Sequence, residues 1–287
     1  GTRVLAGAAD GRLALFNLAD GTARTLLAPS EAKLSHAGLS DDGRTAMVVV
    51  DQRVATFIPL DGGEIARVTC RAPIDAALPL GDGAATLVLD RRHVGELRPS
   101  PEGAAISSWG DVLGPFDRCD ALGRPSGAGG PAVLLSTFAW TVVDRIGAPP
   151  RRHAMIGDDM PDNEDGALGL SRRGGHAFMH WDRFMVWNAL TGDVRFDAPR
   201  RAEAMCGALS EDGSRFAVGT ADGAVQQIGP DGEVTRATPV SDCSVMEMQM
   251  DDRGETLLWR DVDAAIGVLD LKTGRARSIA LDDPPEA

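Results

Sequence analysis

A unit of about forty residues recurs along almost the whole chain, and it limits the possible folds more than any other feature. Its clearest copies read Leu39-Ser40-Asp41-Asp42-Gly43, Leu209-Ser210-Glu211-Asp212-Gly213 and Met250-Asp251-Asp252-Arg253-Gly254. Each is followed by a short apolar run, an Asp-rich turn, a second apolar run and a third turn. The first tight turn falls at Gly43, Gly83, Gly130, Gly175, Gly213 and Gly254, with spacings of 40, 47, 45, 38 and 41. A later turn recurs at Asp20-Gly21, Asp61-Gly62, Thr191-Gly192, Asp231-Gly232 and Thr273-Gly274. Asp-Gly suits hairpins because the glycine accepts positive φ without steric cost.

Between the turns lie runs of strand length: 46–50, 86–89, 132–135, 216–218 and 256–259. Helix periodicity is absent. Four short strands with their turns use up the period, and such a meander is too small to bury its own faces. About seven packed side by side in a ring would bury both faces of each and leave only short edges, which is the β-propeller solution. The expected fold is therefore all-β, a single propeller domain over 1–287, with seven blades of four-stranded antiparallel sheets. The units fall at 3–28, 36–70, 72–110, 116–156, 166–198, 203–240 and 242–281.

The third strand of several units ends in a recurring dipeptide. Trp187-Asn188, Phe16-Asn17 and Leu269-Asp270 each stand a few residues ahead of Gly192, Gly21 and Gly274. This position resembles the Trp-Asp site of WD40 repeats, and Leu-Ser-x-Asp-Gly resembles the first hairpin of bacterial WD40 and YVTN-type propellers. The pattern is weakest from Pro99 to Asp165, where Gly123–Gly130 interrupts it. The first unit lacks an innermost strand before Val4. The tail Asp282-Asp283-Pro284-Pro285 is a poor donor of one, because proline removes ladder N–H groups. Either the native chain continues upstream or the ring closes in a modified way.

The formal charge of −13 opposes binding to nucleic acid or anionic membrane, whose affinity comes from cations displacing counterions. It permits a basic protein or peptide partner. No apolar run is long enough for a membrane span. Cys70, Cys119, Cys206 and Cys243 form no Cys-x-x-Cys pair and read as reduced, partly buried apolar residues. That favours the cytoplasm, although the chain begins without methionine and a removed secretion signal stays open.

Catalytic motifs are missing: there is no Gly-x-Ser-x-Gly, Walker loop or His-Glu-x-x-His. His176 and His180 fall on one strand, where four residues span about 13 Å, too far for one zinc. No cofactor is expected. The competing enzyme class is a metal-dependent propeller hydrolase or lactonase with a central-channel site, but no acid in the sequence stands out from the turn aspartates. A third class is a structural or self-associating element.

Two surfaces are candidate binding sites. One is the acidic loop carrying Asp158, Asp159, Asp162 and Glu164, a docking site for a basic peptide. The other is the rim formed by turns between second and third strands, with Arg53, Arg91, Arg92, His93, Trp140, Trp181 and Arg183. Tryptophan and arginine dominate interface hot spots, so Trp140 and Trp181 are the expected anchors. The WD40 resemblance implies a non-catalytic scaffold or sensor module that presents this rim to a partner. It also implies a setting within a larger signalling or conflict-system assembly.

Overall fold

The computed structural model describes residues 3–8, 10–18, 20–81, 83–90, 93–100, 103–111, 119–126, 130–136, 139–145, 148–154, 167–181, 183–199 and 204–279. They form twenty-seven strands in seven antiparallel sheets arranged as a propeller. Blade 1 contains β1 (Arg3–Gly7), β2 (Leu13–Asn17) and β3 (Ala23–Leu27). Blade 2 contains β4 (Leu34–Leu39), β5 (Thr45–Val50), β6 (Val54–Pro59) and β7 (Ala66–Thr69). Blade 3 contains β8 (Ile74–Pro79), β9 (Ala85–Leu89), β10 (His93–Ser100) and β11 (Gly103–Asp111). Blade 4 contains β12 (Ala121–Gly123), β13 (Ala132–Leu135), β14 (Ala139–Val143) and β15 (Arg151–Ala154). Blade 5 contains β16 (Ala167–Leu170), β17 (His176–His180), β18 (Arg183–Asn188) and β19 (Val194–Pro199). Blade 6 contains β20 (Cys206–Leu209), β21 (Phe216–Gly219), β22 (Ala224–Ile228) and β23 (Val234–Pro239). Blade 7 contains β24 (Val245–Met250), β25 (Thr256–Asp261), β26 (Ile266–Asp270) and β27 (Arg275–Ile279).

The repeated sequence motifs are hydrogen-bonded turn devices. Ser40 Oγ donates to Asp42 Oδ1 at 2.6 Å, and the same oxygen accepts the Arg44 N–H at 3.0 Å. Ser210, Asp212 and Ser214 repeat the arrangement. Gly43, Gly213 and Gly254 hold φ of 65°, 66° and 66°, which a side chain would strain. The dipeptide ending the third strand works as an Asx turn. Asn188 Oδ1 accepts the Leu190 and Thr191 N–H groups, and Asp270 Oδ1 accepts those of Lys272 and Thr273.

Burial comes from blade-on-blade packing. The second strands of blades 2 to 6 are largely buried on both faces, as in β5, where Ala46–Val49 are all fully buried. Six apolar clusters bridge the six junctions from blade 1–blade 2 through blade 6–blade 7. Among the described residues no such cluster spans blade 7 and blade 1. Blade 1 is also the sheet with three strands rather than four.

Two repeated arginine contacts show which positions the three described strands of blade 1 take. Arg24 on β3 and Arg236 on β23, both outer strands, donate to the carbonyl after the third strand of the next blade, Leu60 and Leu271. Arg277 on β27 makes the same contact to Leu18, closing the ring from blade 7 to blade 1. Arg215, leading into the second strand β21, donates to the Gly254 carbonyl in the next blade, and Arg3 does so to Gly43. Leu18 therefore follows a third strand and Arg3 begins a second one. The strand that blade 1 lacks among the described residues is the innermost.

Candidate functional site

Antiparallel meanders send alternate turns to opposite ends of the ring. One end collects the first and third turns of each blade. The other collects the second turns and the connectors between blades. At the first end Arg172 and Arg173, in the first turn of blade 5, reach across to two other blades. Arg172 pairs with Asp252 at 3.2 Å and Asp41 at 3.8 Å, and Arg173 pairs with Asp252 at 3.0 Å. Glu211 of blade 6 accepts the Arg173 and Gly175 N–H groups. This network ties together the first turns of blades 2, 5, 6 and 7. All the groups are partly wet, so each pair contributes little alone and the fixed geometry matters more.

The second-turn face carries the sequence-predicted rim. Arg53 is exposed beside Asp51 and Gln52, whose φ values of 48° and 58° mark a tight left-handed hairpin turn. Asp51 Oδ1 accepts the Lys33 N–H at 2.9 Å, pinning that turn to the preceding connector. Asp261 does the same in blade 7, accepting from Ser241 Oγ at 2.6 Å and the Ala265 N–H at 2.8 Å. His93 is partly buried at the start of β10, opposite Leu89 and Asp111. Arg183 is exposed and pairs across strands with Asp197 at 2.6 Å.

The two tryptophans sit deeper than a rim position implies. The Trp140 ring stacks on His153 at 4.6 Å and lies 5.4 Å from Trp187, filling the junction between blades 4 and 5. Trp181 is partly buried against the same cluster. Arg91, Arg92, Asp158, Asp159, Asp162 and Glu164 lie outside the described residues.

Sequence reasoning missed a different set on this face. Met205 (39% exposed), Met246 (38%) and Val262 (57%) are three of the five exposed large apolar residues among the described residues. Met205 is in the connector entering blade 6, Met246 is near the start of β24, and Val262 is in the second turn of blade 7. The Val262 N–H bonds the Ser244 carbonyl at 3.0 Å, which holds that turn next to Met246. Met205 and Met246 border a channel cavity of about 590 Å³ that Met248, Met250, Leu168 and Leu209 continue inward. Val194 and Val234, the other two, begin outer strands at the opposite end. Alternation along β24 gives no clean signal, because Val245, Met248 and Met250 pack on the interblade core while the register shift between Val245 and Glu247 leaves Met246 exposed.

Among the described residues no three His, Cys, Asp or Glu side chains converge on a point that could hold a metal ion. No helix among them is long and apolar enough to cross a membrane. The four cysteines are free, and burial pushes the Cys119 and Cys206 thiols up to about 12. Those two are buried as neutral thiols and are poor nucleophiles.

The architecture matches solved structures. The β-propeller domain of Cps50 (Swd1) from Myceliophteria thermophila superposes with a TM-score of 0.72 over 94% of each chain, at 12% sequence identity. At that identity the likeness is one of fold. No family model matches the sequence, and no curated protein matches it either. The fold is a seven-bladed propeller.

Proposed function

We propose that this chain is a non-catalytic interaction module that binds a protein or peptide partner on its second-turn face. The observation that carries the reading is the apolar group of Met205, Met246 and Val262 at the channel mouth of blades 6 and 7. Methionine is enriched at interface cores, and its flexible thioether adapts to a partner's shape. Arg183, Trp181 and Arg53 lie on the same face and supply a polar and aromatic periphery. The solved propeller of similar fold supports a scaffold role, and the net charge of −13 favours a basic partner. Four free cysteines support a reducing compartment such as the cytoplasm.

The test is Met205→Glu combined with Met246→Glu, compared with wild type for partner capture from the native host. Both side chains are partly solvated, so the variant should keep its circular dichroism spectrum and melting temperature. Loss of one specific partner from the folded variant is the expected result. Full capture by a folded double variant would overturn the reading.

A further inference from the structure

The apolar patch on the second-turn face lies in a sector whose charge is one-sided. The connector 240–244 runs between the second turns of blades 6 and 7 and is bonded to both. The Val240 and Ser241 N–H groups donate to the Gly223 carbonyl at 3.0 and 3.1 Å, and Ser244 Oγ donates to the Ala221 carbonyl at 2.9 Å. On the blade 7 side, Ser241 Oγ donates to Asp261 and the Val262 N–H to the Ser244 carbonyl. The Cys206 thiol donates to the Val245 carbonyl at 3.3 Å, joining the segments that carry Met205 and Met246. These bonds hold the backbone under the three apolar side chains in place before anything binds, which lowers the ordering cost.

Three carboxylates stand on the same segments. Asp222 is in the second turn of blade 6, Asp242 in the connector and Asp263 in the second turn of blade 7, and all three are exposed. Asp222 accepts the Thr220 hydroxyl, and Asp263 accepts the Cys243 thiol at 3.0 Å. A carboxylate accepts about four hydrogen bonds, so both keep acceptor capacity toward solvent. Among the described residues Arg260 is the cation of this sector, and it is already paired with Glu247 at 2.6 Å. The Cys243 thiol registers the local field: its bond to Asp263, then burial, then the charges of Asp263, Asp261 and Asp242 push its pKa up. The sector around the second turn of blade 2 differs, setting Lys33, Arg53 and Arg71 against Glu31 and Asp51. The charge of the rim is therefore uneven, and the apolar patch sits in an acidic part of it.

We propose that this patch takes a partner segment in which a short apolar core is flanked on both sides by Lys or Arg. The proposal rests on the binding role already given to Met205, Met246 and Val262. The apolar core covers those three side chains, and the flanking cations face Asp222, Asp242 and Asp263. Burial of the core excludes water and supplies most of the affinity. The carboxylates steer the approach and reject acidic segments of the same shape.

The probes are three fluorescein-labelled synthetic peptides with one Leu-Phe core, flanked on each side by two Lys, two Gln or two Glu. Each is titrated against the 287-residue chain by anisotropy. The Lys peptide should bind saturably and at least about tenfold more tightly than the Glu peptide. Its advantage should shrink as salt rises from about 0.05 to 0.5 M. Changing Asp222, Asp242 and Asp263 together to Asn should bring the Lys peptide to the affinity of the Gln peptide, with the circular dichroism spectrum unchanged. Met205→Ser with Met246→Ser leaves the local charge as it is and should weaken all three peptides. Equal affinity for Lys and Glu peptides, or a Lys preference that survives in the folded triple Asn variant, would overturn the charge assignment. If the serine variant still weakened binding, the apolar surface would stand without it. A serine variant that bound the Lys peptide like wild type would overturn the binding role of the patch and this proposal with it. No saturable binding of the Lys peptide would overturn the proposal as well. The three-peptide comparison uses the unaltered protein, so a misfolded variant would not obscure it.

Discussion

Arg124 is the position where removing one side chain should tell most about how the blades hold together. It lies just after β12 in blade 4, its side chain is fully buried, and its guanidinium reaches into blade 3. There it donates to Thr86 Oγ1 at 3.0 Å and to Glu96 at 3.3 Å. Glu96, with a side chain 6% exposed, also receives Arg98 at 2.7 Å. Breaking a buried ion pair from one side costs about 3–5 kcal/mol, because the remaining charge stays desolvated. Arg98 still neutralises Glu96 from the solvent side, so Arg124→Met should sit at the low end, about 3 kcal/mol. For a domain of this size that lowers the melting temperature by about 6–12 °C. Replacing both partners with apolar groups removes the stranded charge, and Arg124→Met with Glu96→Leu should recover to within about 1 kcal/mol of wild type. Urea denaturation followed by tryptophan fluorescence, with calorimetry alongside, measures all four corners of the cycle. A single-variant cost under about 1 kcal/mol, or a double variant no better than the single, would refute the claim that a desolvated charge pair links blades 3 and 4.

Three further outcomes follow from particular residues. Gly43→Ala strains a φ of 65° in open space and should cost about 1–2 kcal/mol. Gly223→Ala, at φ 81°, also drives its Cβ into the Ser241 carbonyl and should cost about 3–5 kcal/mol; equal penalties by denaturant titration would contradict this. Asp212 is pushed up by partial burial, but hydrogen bonds from Ser214 and Ser210 and the nearby Arg195 outweigh that and hold it at about 2, below its ordinary 3.8. A lowered folded value gives stability that is present above pH 3.8 and is lost as pH falls toward 2. The melting-temperature penalty of Asp212→Asn should therefore be full at neutral pH and shrink across that window, and a pH-independent penalty would argue against it. Trp140→Ala should cost about 2–4 kcal/mol through lost packing on His153 and Trp187, with Trp140→Phe restoring much of it. An alanine variant of unchanged stability would show that the ring is not part of the junction.

The architecture was legible because each turn is a local device. Ser-x-Asp-Gly needs its serine, aspartate and glycine within four positions, so sequence spacing alone reveals it. The same holds for Asn188 and Asp270, whose side chains bond N–H groups two and three residues on. A small error shows the limit: Gly174, not Gly175, adopts the positive φ of 83° in blade 5. Contacts between blades leave no local trace. Arg124 and Glu96 stand 28 positions apart, and either could pass for a surface charge. Trp140 belongs to a turn-edge position in sequence, yet its cross-strand neighbour is His153, and that pairing folds the ring over the junction. Met205 and Val262 are isolated apolar residues in polar connectors, and only the ring brings them beside Met246.

Blade 1, with three strands among the described residues, keeps the interblade contacts of the rest of the ring. Had blade 1 a different position in the ring, its contacts to both neighbours would differ from those elsewhere. They do not: Arg277 reaches Leu18 as Arg236 reaches Leu271, and Arg3 reaches Gly43 as Arg215 reaches Gly254. Blade 1 also packs on blade 2 through Leu13 and the buried Ala46, Val48 and Ile58, as its neighbours pack on theirs. The junction to blade 7 differs in having no apolar cluster among the described residues, so there the Arg277–Leu18 contact carries the closure.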